Sequence, residues 1–177
     1  GYKLTLINSS VKNSLRTEYN ERRESCERVV ELIAKNHPEV LSLRDADMAM
    51  LKEIEGDINA TDFKRAKYVL EEKERVLAVC DALEKGDYNT VGEKMFSTHW
   101  GLSKEYTVSC QELDFLAEFA QSFGVTGSRV MGGGFGGCTI NLIPEALHDE
   151  FIAKAKDAFN DKFGHYPEVY EIIIGDG

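Results

Sequence analysis

The stretch Met131-Gly132-Gly133-Gly134-Phe135-Gly136-Gly137-Cys138 places five glycines in six positions between two strand-like segments. Glycine weakens a strand and costs backbone entropy, so this run does not serve to extend a sheet. It permits positive φ and lets a ligand or another backbone approach closely. On the residues alone, two interpretations stay open: a phosphate-proximal loop whose amides form an anion-binding nest, or a tight hairpin that binds nothing.

The glycine run formally matches G-x-G-x-x-G at Gly132, Gly134 and Gly137, but the dinucleotide-binding interpretation fails. That motif requires a helix directly after the last glycine and an acidic residue about 20 positions later on a second strand. Here a strand-like segment follows instead. A P-loop is excluded as well, because no Gly-Lys-Ser/Thr sequence comes after the glycines.

The segments on both sides of the glycine run predict strands, at 128–131 and at 138–143. Pro144 suits the first turn of a helix, and Gly164 is placed to end it. A last strand is predicted at 169–174. This half of the chain therefore predicts two strands, a helix and a third strand.

The half before residue 128 predicts one strand and then several helices. The strand covers 2–7. The helices are predicted over 17–34, over 45–55, from a Thr61 cap to Glu84, from Tyr88 onward, and from a Ser109–Glu112 capping box to Gly124. The long helix to Glu84 carries an apolar stripe that we expect to face the core: Ala66, Val69, Leu70, Val76, Leu77, Cys80 and Leu83.

Without the additional helices, the order of elements is βαββαβ, the ferredoxin-like split βαβ pattern. The sequence thus predicts an α+β fold with an antiparallel four-stranded sheet, covered on one face by helices, and an additional helical layer.

Composition limits the classes of function. The 177 residues carry a formal net charge of −10, which disfavours nucleic acid and anionic membrane surfaces as partners. No stretch is long and apolar enough to span a bilayer.

The four cysteines form no C-x-x-C pair: they are Cys26, Cys80, Cys110 and Cys138. We therefore expect reduced, mostly buried thiols and a cytoplasmic protein. The spacing between His99 and the other histidines is not that of metal ligands, so we expect no metal site. We expect His99 to have a packing or capping role.

Three blocks of the chain resemble galactokinases, which belong to the superfamily of galactose, homoserine, mevalonate and phosphomevalonate kinases. The Glu-Tyr-x-x-Arg-Arg block points to galactokinases in particular. Taken in family order, the blocks are Asn8-Ser9-Ser10-Val11-Lys12 with Glu18-Tyr19-Asn20-Glu21-Arg22-Arg23, then His99-Trp100-Gly101-Leu102 with the segment from Tyr106 to Asp114, and finally Ser128-Arg129-Val130-Met131 with the glycine run. In one departure, Met131 meets Gly132 directly, where the family usually has a threonine between them.

The resemblance implies that residues 1–177 are the C-terminal domain of a galactokinase-like kinase, with the N-terminal domain outside this chain. The chain runs from Gly1 straight into a strand, as expected of a piece of a larger protein. The family's galactose-recognition signature, main phosphate loop, catalytic aspartate and catalytic arginine match no residues here. The resemblance therefore assigns no catalytic residue, and we expect the isolated chain to be inactive.

The implied activity is ATP-dependent phosphorylation of the anomeric hydroxyl of galactose, with Mg²⁺ bridging the phosphates. Tyr19 matches the family tyrosine that reaches a sugar hydroxyl; the alternative is an aromatic residue packed on the core. The loop of Gly132, Gly133, Gly134, Phe135, Gly136 and Gly137 would buttress the missing phosphate loop on the nucleotide side.

Several alternatives stay open at this point. Arg22 and Arg23 either neutralise phosphate or form structural ion pairs, and Arg129 either supports the glycine loop or pairs on the surface. The whole protein could instead be a non-catalytic regulatory protein that binds galactose and ATP, because a fold does not guarantee turnover. It could also be a kinase for a related sugar such as N-acetylgalactosamine.

Overall fold

The structure is a computed structural model that describes residues 1–12 and 16–176. Short 3-10 turns at Leu43–Asp45 and Glu55–Asp57 flank the second helix. In chain order the strands and helices are β1 (Tyr2–Asn8), α1 (Arg16–Ala34), α2 (Met48–Glu53), α3 (Ala60–Glu84), α4 (Tyr88–Lys104), α5 (Gln111–Phe123), β2 (Gly127–Val130), β3 (Cys138–Pro144), α6 (Glu145–Phe163) and β4 (Glu168–Ile172).

The four strands form one antiparallel sheet in the order β2-β3-β1-β4. In its register Leu4 lies opposite Leu142 on one side and Ile172 on the other. This is the strand order of the ferredoxin-like pattern, so the predicted fold class is confirmed. The glycine run is the connection between β2 and β3, and it lies at the end of the sheet where Asn8 pairs with Cys138.

The main core lies between one face of the sheet and the helices α5 and α6. Ile7 and Ile143 from the strands pack there with Leu116, Phe151 and Phe159, all at most 1% exposed. Helices also reach the opposite face, where Leu4 and Leu142 contact Val91 of α4 and Ala82 of α3. Because alternate residues of a strand point to opposite faces, the sheet has helical contacts on both faces, rather than on one face as expected.

A second core joins α1, α2 and α3 into the additional helical layer, around Val29, Ile33, Leu51, Ala66 and Leu70. The predicted stripe of α3 is confirmed only in its first half. Val76, Leu77 and Leu83 are 52%, 62% and 51% exposed, and Cys80 is exposed as well. In this half of α3, Val79 and Ala82 pack towards the sheet. The predicted stripe therefore exists on the helix, but within the described residues its second half faces solvent instead of the core.

Three predictions about where helices begin are wrong. Asn59, not Thr61, caps α3 by accepting from the Asp62 amide. The helix expected over 45–55 covers only Met48–Glu53. It begins after Asp47, whose side chain is the N-cap and accepts a hydrogen bond from the Met50 amide. Ser109 does not form a capping box; Cys110 is the N-cap of α5, without a side-chain cap hydrogen bond.

The cysteines are free thiols, but they are less buried than expected: Cys80 is exposed and the other three are half-buried. The described helices include none with the length and apolar character needed to cross a bilayer. Helix α4 lies unusually close to β2, because a Cβ on Gly127 would come within 2.6 Å of the Gly92 Cα. This contact between two glycines brings the side chains of α4 against the edge strand that leads into the glycine run.

Candidate functional site

The glycine run forms a compact loop in which backbone geometry depends on glycine. Gly132, Gly134 and Gly137 have φ values of 78°, 83° and 81°, in the left-handed region that side chains rarely tolerate. Phe135 adopts φ 61° without being glycine. The loop is thus a strained connection between β2 and β3 rather than an ordinary hairpin turn.

Two of the glycines allow other backbone segments to approach. A Cβ on Gly134 would overlap the Val108 carbonyl oxygen, which accepts a hydrogen bond from the Phe135 amide. A Cβ on Gly136 would overlap the Val11 carbonyl oxygen, which accepts from the Gly137 amide at 3.0 Å. Gly134 and Gly136 are therefore buried against the protein, whereas Gly132, Gly133 and Gly137 are exposed and present bare backbone to the solvent.

Tyr19 lies directly on this loop. Its ring meets Phe135 edge to face, with 5.6 Å between the ring centroids. A Cβ on Gly133 would lie 2.7 Å from the Tyr19 hydroxyl oxygen. Tyr19 is 40% exposed, so it is not a core aromatic, and it shares one surface with the exposed glycines.

Backbone strain is concentrated at the same place. Among the described residues other than glycine, three have positive φ: Ser10 at 62°, Thr107 at 57° and Phe135 at 61°. Ser10 precedes Val11, and Thr107 precedes Val108, so these residues lie in the two segments that contact the loop. Such strained residues persist only where the surroundings hold them, and they cluster at functional sites.

The turn after β1 is attached to the far end of the loop. Ser9 is fully buried; its amide and its hydroxyl both donate to the Gly137 carbonyl, at 2.8 and 2.6 Å. The hydroxyl oxygen in turn accepts from the Val11 amide. Ser9 therefore closes the loop on the side opposite to Val108.

Arg22 is a structural clamp rather than an exposed cation. It is 7% exposed, and its guanidinium donates to the backbone carbonyls of Tyr106, Thr107 and Glu18. It also lies over the Phe135 ring, 5.2 Å from the centroid. Burial lowers the pKa of Arg22 below its ordinary value, but a guanidinium stays charged in proteins. Arg22 thus ties α1 to the segment that supports the loop.

The other two arginines differ from it. The Arg23 side chain is 76% exposed and forms an ion pair with Glu27, four residues later. Arg23 therefore makes a structural ion pair, and because the pair is exposed it contributes little stability. Arg129 donates to the Val130 carbonyl, and its guanidinium lies 3.7 Å from Glu72 of α3. Of the three predicted candidates, Arg22 and Arg129 support the loop region, and Arg23 makes a surface pair.

A network behind the loop, centred on Asp114 of α5, is absent from the sequence-based predictions. The Asp114 carboxylate accepts from His99 Nε2 at 2.8 Å and from the hydroxyls of Ser109 and Ser103, both at 2.7 Å. Burial alone raises the pKa of Asp114, but the hydrogen bonds outweigh it, so this pKa lies below its ordinary value. No spacing in the sequence pairs His99 with Asp114, because the two lie on different helices.

A groove of about 620 Å³ lies on the other side of Tyr106, between α1 and α3. Its walls are mainly apolar and include Val30, Leu43 and Val69. Burial raises the pKa of Tyr106 to about 12, and that of the neighbouring Cys26 thiol is also raised, first because of burial. The candidate site is placed instead at Tyr19 and the glycine loop, where strained backbone and exposed glycines lie together.

Within residues 1–12 and 16–176, no group of three or more His, Cys, Asp or Glu is arranged to hold a metal ion. His99 is fully buried, and both of its ring nitrogens make hydrogen bonds inside the protein.

Comparison with known proteins identifies kinases that are similar to this chain. A family model described as GHMP kinases C terminal matches residues 79–161. The galactokinase of Thermotoga neapolitana is 38% identical over 179 residues, which cover 100% of this chain and 49% of that protein. The galactokinase of Clostridium acetobutylicum is 36% identical over 181 residues, covering 100% of this chain and 46% of that protein. A crystal structure of Lactococcus lactis galactokinase complexed with galactose superposes with a TM-score of 0.87 at 27% identity, over 99% of this chain and 46% of that one.

Residues 79–161 are therefore similar to the C-terminal domain of the GHMP kinases. Within the class, the relatives named above are galactokinases, and this chain is similar to them along its whole length. It spans about half the length of these curated relatives.

Proposed function

We propose that residues 1–177 form the C-terminal domain of an ATP-dependent galactokinase and provide one wall of its active cleft, while the N-terminal domain lies outside this chain. The observation that carries the proposal is the contact of Tyr19 with Gly133, which joins a candidate sugar ligand and an exposed glycine backbone in one surface. The similarity to galactokinases over the whole chain supports the same conclusion.

In this proposal, Tyr19 donates one directional hydrogen bond to a galactose hydroxyl. A phenol on a rigid ring suits that task, and the packing of Tyr19 against Phe135 fixes the direction of its ring. Tyr19 is 40% exposed, so a sugar can reach this side chain without any opening of the domain.

The loop formed by Gly132 to Gly137 is proposed to lie on the nucleotide side and to support the phosphate loop of the N-terminal domain. Its exposed members, Gly132, Gly133 and Gly137, have no side chain that would keep a phosphate group or a second loop away. Gly134 and Gly136 fix the loop from behind. ATP, when bound, supplies the phosphoryl group, and this chain contributes backbone shape beside it.

Mg²⁺ is proposed as the ion that accompanies ATP. The described residues of this chain contain no cluster of metal-binding side chains, so the ligands would be the phosphates and residues outside this chain. We also propose that the protein works in the cytoplasm, where free thiols such as the exposed Cys80 stay reduced.

The experiment that tests the function is galactose-dependent ADP release by the complete two-domain protein, compared with this chain alone. We expect turnover with galactose by the complete protein and none by the isolated chain, which lacks the catalytic aspartate and arginine of the family. Faster turnover of N-acetylgalactosamine would reassign the sugar. Galactose binding without turnover would instead favour a regulatory protein.

A further inference from the structure

The first half of the glycine loop is held from behind at two points. At its start, the amide of Val130, the last residue of β2, donates to His99 Nδ1 at 3.1 Å. In its middle, the amide of Phe135 donates to the Val108 carbonyl. Since β2 is an edge strand, the outward amide of Val130 has no neighbouring strand to bond, and the His99 ring takes that place.

The protonation of His99 follows from these contacts. An amide N–H can only donate, so Nδ1 of His99 accepts and carries no proton. The ring proton therefore lies on Nε2 and is donated to Asp114 at 2.8 Å. The fully buried ring thus has a fixed orientation that is set by the carboxylate.

The same carboxylate also reaches the second holding point. Ser109, the residue directly after Val108, donates its hydroxyl to Asp114 Oδ1, the same oxygen that accepts from His99. Val108 is 2% exposed and packs with Val130 in one small core beneath the loop, with Phe135 against it. The two contacts that hold the first half of the loop therefore share one anion.

We propose that Asp114 is a positioning residue that sets the geometry of the glycine loop, through His99 at its start and through Ser109 and Val108 at its middle. This positioning role deepens the proposed function. It depends on the proposed function only where the loop is assigned to the nucleotide side. Asp114 itself touches no exposed part of the site; it acts through the two residues that it orients.

Ser103 provides a matched control for this proposal. It also donates a hydroxyl to Asp114, at the same 2.7 Å, but to the other oxygen, Oδ2, and from the last turn of α4. Removal of either hydroxyl therefore removes one hydrogen bond from the same carboxylate. Only Ser109 is adjacent to the segment that holds Phe135.

The first measurement is amide hydrogen exchange of residues 130–137 in the complete protein without ligands, followed by mass spectrometry. We expect Ser109→Ala to accelerate exchange in this segment about fivefold, and Ser103→Ala to change it by less than about twofold. Asp114→Asn, if it folds, should accelerate exchange at both holding points. Equal exchange in the two serine variants, or no change in Ser109→Ala, would overturn the proposal.

The second measurement separates positioning from general stability. In Ser109→Ala the apparent KM for ATP should rise about fivefold while that for galactose stays within about twofold, and thermal unfolding should match that of Ser103→Ala. A lower melting temperature with an unchanged KM for ATP would make Asp114 merely structural. If exchange responds as expected but the unsubstituted protein shows no galactose-dependent turnover, the proposed function fails while the positioning role stands.

Discussion

The Tyr19 hydroxyl lies so close over Gly133 that a Cβ at this glycine would come within 2.7 Å of the hydroxyl oxygen. The first turn of α1 and the β2–β3 loop therefore form one surface, although Tyr19 and Gly133 are 114 positions apart in the sequence. Any side chain at position 133 has to displace the tyrosine.

Gly133→Ala should therefore impair sugar binding more than stability. The new methyl group meets the far end of a flexible, exposed ring, which can move aside, so we expect less than about 1 kcal/mol of destabilisation. The moved hydroxyl should raise the apparent KM for galactose about fivefold in the complete protein. Gly56→Ala is the matched control, because nothing lies within 4 Å of a Cβ at that position. Equal KM values for galactose in the two variants would show that sugar binding does not depend on the position of the Tyr19 hydroxyl.

Gly134→Ala should destabilise the domain much more than Gly132→Ala. Both glycines have left-handed φ, and that strain alone costs about 1 kcal/mol for alanine. At Gly132 nothing lies within 4 Å of the new Cβ, whereas at Gly134 it would overlap the Val108 carbonyl. We expect a further loss of about 2 kcal/mol or more for Gly134→Ala, measured by urea unfolding. Similar midpoints would mean that Val108 does not hold the loop.

Neighbouring arginines should respond differently to the same conservative change. Arg22→Lys keeps the charge but loses the planar fork that serves the carbonyls of Tyr106 and Thr107, so we expect a loss of about 2 to 3 kcal/mol. Arg23→Lys, in an exposed pair, should change the free energy of unfolding by less than about 0.5 kcal/mol. Chemical denaturation of both variants gives the comparison. A small effect at Arg22 would refute its role as a clamp.

Asp114 should contribute stability that depends on pH. Its pKa is lowered in the folded state, so the unfolded chain takes up the proton at higher pH than the folded protein does. The stabilisation is therefore fully present above the unfolded pKa of about 4, and it is lost as the pH falls through the lower, folded pKa. We expect Asp114→Asn to be less stable at pH 7, with a deficit that shrinks below about pH 4. Asp161→Asn, on an exposed position of α6, should follow the unsubstituted protein; a constant deficit for Asp114→Asn would contradict the linkage.

The sequence predicted the elements whose signals are local. Gly124 and Gly164 end their helices in the left-handed conformation, and the βαββαβ order led to the correct sheet. It failed where several polar side chains compete for one role: Asn59 displaced Thr61 as a cap, and the Ser109 hydroxyl bonds to Asp114 instead of an amide. A sequence pattern ranks such residues by type, whereas the tertiary fold decides which partner is in reach.

The site was predictable to a similar extent. The glycine run and Tyr19 could be singled out in advance, but their contact could not, because it depends on how α1 packs against the loop. Nor could the sequence separate the buried glycines, Gly134 and Gly136, from the exposed ones, since that division is made by carbonyls of Val108 and Val11. The pairing of His99 with Asp114 lacked any sequence signal at all.

The role of Tyr19 as a galactose ligand is tested by the apparent KM for galactose of the complete protein with Tyr19→Phe, compared with Tyr166→Phe at another exposed tyrosine. We expect this KM to increase about five- to tenfold in Tyr19→Phe, as for one lost hydrogen bond, with the KM for ATP and the melting temperature unchanged. Tyr166→Phe should leave all three values unchanged. An unaltered galactose KM in Tyr19→Phe would contradict the assignment of this surface as the sugar-binding wall.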